Sequence, residues 1–474
     1  MTDDERTAIR ENAKYLRQVR PIDPEEIYEY IESQPHPAVV RQTLREEAVD
    51  LGLVETDDGT FVPVEEEPVT TEVRRIDRFP EQYGQRLEDL LTEEYGRDWP
   101  TGESGEILRD RIRKLKDAYY RQNPVEYGYE AALAYAIYHL PDYYAVVQYA
   151  LSDLIDRRLL PRTLRVLDVG AGVGGPALGL CDLLPDDALV EYHAVEPSEA
   201  ETVLSSMLDA TGRNVHTEIH SEQAESFDPP GEFDLILFGN VLSELSDPTA
   251  VATRYLDALA PDGSMVALAP ADRNTSTELR EVERALADDP TGPGATVYSP
   301  TIRLWPDESP TDRGWSFDVK PDLAVPSFQQ RIEDAATDPD HHQGEFVNVD
   351  VQFSHSILRT DGKRRLEATP DPDRWAKMAE MEAHVSNRID LLALKLSHSL
   401  SEGDANPLFK ISDGSESVEH YAVLTRETSL NRNLVDAEYG DLLAFESVLA
   451  LWNDDEGAYN LVVDGETVVD AMVA

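Results

Sequence analysis

Apolar residues recur every three or four positions over residues 7–17, the spacing of an amphipathic helix. Asp23, ahead of Pro24 and Glu25, is placed to cap a second helix running to Ile31. His36 and Pro37 open a third, which carries Val39, Val40, Leu44 and Ala48. Two short apolar runs at 53–56 and 60–64 then flank Asp57, Asp58 and Gly59, a strong hairpin signal. Three helices and a hairpin is the winged-helix order. Such a module can present Arg41, Gln42 and Arg45 of its third helix to a nucleic-acid groove, or it can dock on protein. Glu46, Glu47 and Asp50 lie on the same helix and favour docking.

Residues 66–124 read as a charged, mainly helical connector broken at 99–102. Its stretch at 109–121 (RDRIRKLKDAYYR) is basic and ends in aromatics. It suits RNA phosphates and bases, or simply a solvated helix face laced with ion pairs, which is the expected role. Residues 125–160 predict two helices broken at Leu140-Pro141, followed by an apolar strand at 164–167. Strands and helices alternate from there to about residue 270, the pattern of a parallel sheet covered on both faces. Residues 271–345 are rich in Pro, Asp and Thr and poor in strands. A strand at 347–358 leads to the turn Asp361-Gly362, read as a hairpin tip, and a long helix is expected at 372–399. Short strands at 408–412, 420–425, 441–451 and 459–469 predict a small OB-like barrel. The resulting organisation is a winged-helix-like module (1–66), a connector (67–124), a central α/β domain (125–335) and a C-terminal strand, helix and small barrel (336–474).

The central domain carries the chemistry. Asp168, Gly170, Gly172 and Gly174 follow one strand and precede an apolar helix. Free backbone N–H groups point at an anion where a strand ends and a helix begins, and glycines let the main chain approach it closely. Dinucleotide-binding and methyltransferase domains share that loop. Four neighbouring features separate them. Asp168 lies two residues before the first glycine. Glu196 ends the second strand, where a carboxylate accepts ribose hydroxyls. Gln223 precedes the fourth strand (232–238), at the expected adenine edge. The loop at 259–263 (LAPDG) leads into a fifth strand. In this order they resemble a class I, Rossmann-like methyltransferase core, and the resemblance implies S-adenosylmethionine as cofactor. Asn240, after the fourth strand, is the candidate for the acceptor site and also borders the cofactor. No Asn/Asp-Pro-Pro-aromatic motif or cysteine pair marks a base-methylation chemistry there, so the catalytic residues stay unassigned.

YAIYHLPDYY at 135–144, the glycine loop, VLSEL at 241–245 and YGDLL at 439–443 resemble the methyltransferase-like family associated with assembly of the small ribosomal subunit. The resemblance implies small-subunit RNA or protein as partner, and methyl transfer to one of them. It also leaves two other roles open: a non-catalytic, cofactor-binding assembly factor, or a small-molecule methyltransferase. That family holds an iron–sulfur cluster on cysteines in a frame that here reads Ser299-Pro300, Trp305-Pro306 and Trp315-Ser316. Serine and tryptophan are not cluster ligands, so no cluster is expected, and Trp305, Trp315 and Phe317 are expected to order the loop by packing. RNA-contact candidates are Arg359, Lys363, Arg364 and Arg365, whose guanidinium groups suit phosphate geometry.

Composition changes this picture in two ways. The chain holds 94 acidic against 42 basic residues, a net charge of -52. The acidic residues are spread along its length, as in proteins of salt-accumulating archaea. At molar salt the Debye length is about 3 Å, so net charge does not exclude an RNA partner and local basic clusters decide. The only cysteine, Cys181, rules out an internal disulfide or a cysteine-based metal site. No metal site of any kind is expected. The first residues lack a signal-peptide core and no apolar run reaches membrane-spanning length, so a cytoplasmic protein without membrane partners is expected. Mutual repulsion of the carboxylates gives a direct test. Lowering KCl from molar to about a tenth molar lengthens the Debye length to about 10 Å and should lower the melting temperature markedly, read by calorimetry. A melting point indifferent to salt would show that the acidic surface has another role.

Overall fold

A computed structural model describes residues 2–73, 75–121 and 128–472, with the side chain of Tyr120 left aside. The expected start of the central domain at 125 lies outside the described residues. The chain divides into two compact units, residues 1–237 with 322–350, and residues 238–321 with 351–474.

The first unit opens with helices Asp3–Leu16, Pro24–Ile27, Pro37–Glu46 and Ala48–Leu51, then the antiparallel pair β1 (Leu53–Glu55) and β2 (Phe61–Pro63). Ile9, Ile22, Ile27, Val40, Leu44, Leu53 and Phe61 form its own small core. The basic residues of the third helix are spent internally. Arg45 pairs with Glu55 at 2.5 Å and Arg41 lies 3.6 Å from the same carboxylate. The hairpin docks on the α/β core of this unit. Asn214 accepts from the Glu55 N–H at 2.8 Å and donates to the Glu55 carbonyl at 3.1 Å, while Val54 packs on Leu189.

Behind this module, β3 (Thr163–Val169), β4 (Leu189–Val195) and β5 (Val215–His220) pair in parallel, with β6 (Phe233–Gly239) on the other side of β3. The chain passes into the second unit within β6. Order β5-β4-β3-β6 is the doubly wound arrangement. The helix expected to break at Pro141 is instead continuous, Tyr129–Asp156. Proline has no N–H to give the carbonyl four residues back. That carbonyl, of Ile137, accepts instead from the Gln329 side chain at 2.8 Å, and Gln329 is fully buried. Sequence pattern could not show this partner, which lies in the helix Ser327–Asp334.

In the second unit, β7 (Leu259–Pro270), β8 (Thr296–Ser299), β9 (Asp318–Lys320) and β10 (Val351–Arg359) form a block in which β10 pairs antiparallel with each of the others. The helix Arg273–Ala287 falls in the stretch read from sequence only as rich in Pro, Asp and Thr and poor in strands. The expected long helix at 372–399 is corrected. A 3-10 turn, Met378–His384, leads to β11 (Arg388–Lys395). β12 (Leu408–Ser412), β13 (His420–Leu424), β14 (Leu442–Asn453), β15 (Ala458–Val463) and β16 (Val468–Ala471) follow. β11 pairs with both β12 and β14, so β11-β12-β13-β15-β14 closes into a five-stranded OB-like barrel, with β16 added beside β14. The misreading has a physical cause. Leu391 and Ala393 face the barrel interior, whereas Leu392, Leu394 and Leu396 face a second core around Trp305 and Trp375. A strand buried on both faces shows no alternation.

The proline–glutamine pairing is testable. Replacing Gln329 by Leu leaves the Ile137 carbonyl buried and unpaired, which should cost about 1–3 kcal/mol in denaturant unfolding. In a Pro141→Ala background the restored N–H can take that carbonyl, so the same substitution should cost measurably less. Equal costs in the two backgrounds would refute the pairing.

Candidate functional site

The glycine loop is held in place by β4. Val195 accepts at its carbonyl from the N–H of Gly170 at 2.8 Å and of Ala171 at 3.2 Å. Gly170, Gly172 and Gly174 all have positive φ (71°, 55° and 94°), the left-handed region that favours glycine. A Cβ at Gly174 would also stand 2.8 Å from Leu204. The loop ends on the helix Gly175–Leu183, whose N-terminus has no side-chain cap, so its first N–H groups are free to bind an anion.

Two carboxylates flank the loop. Glu196 accepts from the Gly172 N–H at 2.8 Å through one oxygen, and from the Ser198 N–H at 2.9 Å and hydroxyl at 2.5 Å through the other. The oxygen facing Gly172 keeps acceptor capacity, while the other is filled by Ser198. Asp168, fully buried at the end of β3, accepts from the Tyr192 hydroxyl at 2.5 Å through Oδ2, while Oδ1 has no hydrogen-bond partner. Burial, reinforced by the neighbouring Glu196, pushes the Asp168 carboxyl up to about 7 against the Tyr192 hydrogen bond. Sequence reasoning singled out Asp168 and Glu196 but missed Tyr192 and Ser198. Tyr192 lies on β4 at an apolar-looking position, and nothing in the pattern pairs it with Asp168.

Gln223 lies exposed in the turn after β5, where its carbonyl accepts from the N–H groups of Ser226 and Phe227. Asn240 belongs to the second unit. It is buried with φ of 62°, its N–H donates to the Leu268 carbonyl at 3.1 Å, and its side-chain Nδ2 is buried without a partner. A non-glycine residue held left-handed with an unused donor is the kind of strained feature found at functional positions.

The RNA-contact candidates need correction. Arg359 is fully buried. It donates to the Ser264 hydroxyl at 2.6 Å and the Asp262 carbonyl at 2.7 Å, and pairs with Asp361 at 2.6 Å; this guanidinium holds the Asp361 carboxyl well below the usual range. No surface role is left to it. β10 is not followed by a partner strand, so the turn is no hairpin tip. Arg365 is drawn to Asp441 at 3.4 Å, and exposed Arg364 donates to the Arg303 carbonyl at 2.8 Å. Lys363 is exposed, 3.2 Å from Asp361. The stretch at 109–121 is likewise engaged: Arg109 is buried, Arg111 pairs with Glu130, Arg113 with Glu345, Lys114 with Asp110 and Arg121 with Asp117.

At the positions of the cysteine frame, Ser299 is buried, the Trp305 indole donates to Asp413 at 2.8 Å, and the Ser316 hydroxyl meets the Tyr439 hydroxyl at 3.1 Å. Trp315 packs on Phe317 with ring centroids 5.4 Å apart.

Residues 143–316 match the model of a methyltransferase domain. The core is thus of the class I, S-adenosylmethionine-dependent methyltransferase type. Residues 6–57 and 379–472 match the N-terminal and C-terminal models of a domain of unknown function, DUF8157. Among curated proteins none matches the chain. Similar solved structures include an S-adenosylmethionine-dependent methyltransferase from Clostridium acetobutylicum, 15% identical over 33% of this chain and 58% of that one, with a TM-score of 0.24. Another, from Aquifex aeolicus, is 19% identical over 23% and 56% of the two chains, TM-score 0.20. The N-methyltransferase NodS from Bradyrhizobium japonicum, in complex with S-adenosylhomocysteine, is 13% identical over 45% and 84%, TM-score 0.27. The chain spans about half the length of the first structures it matches, 58%, 46% and 56%. No helix among the described residues is long and apolar enough to cross a membrane.

Asp168 gives a pH prediction. Its folded pKa lies above the unfolded value of about 3.9, so its contribution to stability is full below that value and is lost as pH rises through about 7. Asp168→Asn removes the titration. Between pH 5 and 8 the variant should gain roughly 2–3 kcal/mol relative to the parent chain in chemical unfolding. A difference that stays flat with pH would mean that Asp168 ionises normally in the fold.

Proposed function

We propose that this chain is an S-adenosylmethionine-dependent methyltransferase whose acceptor is RNA or protein of the small ribosomal subunit. The observation that carries the cofactor assignment is the buried, unpaired Oδ1 of Asp168 beside the left-handed glycine loop. A buried carboxylate oxygen without a donor is costly, and a cationic ligand group relieves it. The residues present fit the cofactor. Gly170, Gly172 and Gly174 let the main chain approach it, the uncapped helix N-terminus takes its carboxylate, Glu196 accepts the ribose hydroxyls, and Gln223 borders the adenine. When bound, the cofactor supplies an electrophilic methyl group on sulfur, so the protein's task is alignment of the acceptor rather than acid–base chemistry.

The ribosomal partner rests on the resemblance of residues 135–144, 241–245 and 439–443, with Lys363 and Arg364 as the remaining exposed contacts of the basic turn. In this reading the chain is organised as a 1–66 module, a 67–124 connector, a 125–335 cofactor domain and a C-terminal 336–474 part. A second reading, a cofactor-binding assembly factor without transfer, is favoured by the sequence Gly239-Asn240-Val241-Leu242, which lacks a recognised acceptor motif.

Two measurements test the proposal. Glu196→Ala removes a charged acceptor and should weaken S-adenosylmethionine or S-adenosylhomocysteine binding by about 1.5–3 kcal/mol in calorimetry, with melting curves confirming that the variant folds. Unchanged affinity would remove Glu196 from the cofactor site. Mass spectrometry of small-subunit RNA and proteins, with and without the gene, should reveal one methyl group that depends on it. A subunit-assembly defect rescued by Glu196→Ala, with no methyl group lost, would favour the assembly factor. No effect on the subunit at all would leave a small-molecule acceptor.

A further inference from the structure

β4 and β5 form the outer, parallel part of the first unit's sheet, and alternate residues of a strand share a face. On one face the register sets Glu191 opposite His216, His193 opposite Glu218 and Val195 opposite His220. A run alternating histidine and glutamate on an edge strand has no role in a sheet core, and the glycine loop does not use it.

The side chains converge. His193 Nδ1 lies 3.0 Å from His220 Nε2, and the two ring planes are within 3° of parallel. Glu218 stands 3.7 Å from His193 Nδ1 and 3.9 Å from His220 Nδ1. One donor atom from each of the three residues falls within 4.8 Å of the others. Tetrahedral zinc with bonds near 2.0–2.1 Å sets its ligand atoms roughly 3.3 Å apart, so only a small side-chain adjustment separates this cluster from a metal-binding one.

The surrounding groups supply what a ligand histidine needs. His193 Nε2 donates to Glu191 at 2.8 Å, and Glu191 is itself held by Arg165 at 2.9 Å. With its proton committed to that carboxylate, His193 turns a lone pair at Nδ1 toward His220 and Glu218. A carboxylate behind a histidine is the usual support of a metal ligand. His193 is buried, His220 packs on Phe227 with centroids 4.7 Å apart, and Glu218 is exposed. The cluster is thus firm on the protein side and open to water on the other.

We propose that His193, Glu218 and His220 form a site for one divalent transition ion of the zinc class, bound by two imidazoles and a carboxylate with water in the remaining position. The borderline nitrogen and oxygen donors suit zinc, cobalt or nickel rather than calcium or magnesium. The ion clamps β4 to β5 three residues before Glu196 and Gln223, which follow the ends of these strands and supply the proposed nucleoside contacts. The site itself stands independently of that cofactor reading.

The test uses the full-length protein, stripped with chelator and kept in high KCl so that its acidic surface does not gather ions. Titration with cobalt(II) should give about one equivalent of binding, with the strong visible bands of four-coordinate cobalt, and zinc should displace it. His220→Gln, at the partly buried edge of the cluster, and Glu218→Gln, on its exposed side, should each abolish the bands, while melting temperatures in chelator show that both variants still fold. Glu191→Gln, which touches only the supporting carboxylate, should weaken binding by about 10–100-fold. Absence of stoichiometric cobalt binding, or bands that survive in His220→Gln, would overturn the proposal.

Discussion

The candidate site depends on how closely two helices approach. The helix Tyr129–Asp156 lies so near the helix Gly175–Leu183 that a Cβ at Gly179 would stand 2.2 Å from the Tyr144 carbonyl and 2.4 Å from Val147. One at Gly175 would meet Tyr143 at 2.9 Å. Close packing of this kind tolerates no added methyl without backbone movement. Because the second helix begins where the glycine loop ends, the contact fixes the direction in which its free N–H groups point. Polar pairing secures the same contact. Asp182 accepts from Tyr144 at 2.9 Å and from Tyr83 at 2.6 Å, joining the long helix, the loop helix and the connector helix Glu81–Tyr95. The Gln329 bond to Ile137 lets the long helix run through Pro141 without a buried orphan carbonyl.

That arrangement explains which parts of the molecule were legible in the sequence. The winged-helix order, the strand–glycine–helix unit, Glu196 and the last barrel strands are local patterns, decided by residues a few positions apart. What sequence could not show depends on partners far along the chain. Pro141 looks like a helix end until Gln329 supplies the missing donor. Residues 388–396 look helical because their two faces enter two different cores. Arg359 looks like a surface cation in a basic turn until Ser264 and the Asp262 carbonyl surround it. The histidine–glutamate run on β5 was visible as letters. Its meaning needed the register with β4, which sets His193 opposite Glu218.

The fate of the basic residues bears on the charge of the whole. With 42 basic side chains against 94 acidic ones, cations are scarce, and many of them work as internal partners. Arg280 and Arg303 both pair with buried Glu283, and Lys410 meets Asp312 at 2.5 Å with both side chains buried. Such pairs offset the cost of burying each charge but add little net stability over an apolar core. Their larger effect is on the surface, which loses cations and becomes more uniformly acidic. Exposed cations are drawn into pairs as well, Lys14 with Glu11, Lys114 with Asp110 and Arg388 with Asp464, so the approach of an anionic partner depends on ionic strength.

β4 is where these themes meet. Its alternation sends Tyr192 to one face, where the hydroxyl holds Asp168, and Glu191 and His193 to the other, where they join the edge cluster. At its end, the Val195 carbonyl holds the glycine loop and Glu196 accepts from Gly172. One strand thus sets the position of both carboxylates and of the histidine group without sharing a side chain between them. A shift of β4 by one residue would exchange the two faces, placing His193 where Tyr192 must reach Asp168. The parallel pairing with β3 on one side and β5 on the other prevents that shift, and the hairpin docked through Asn214, just ahead of β5, adds a further tie at the far end of the same strands.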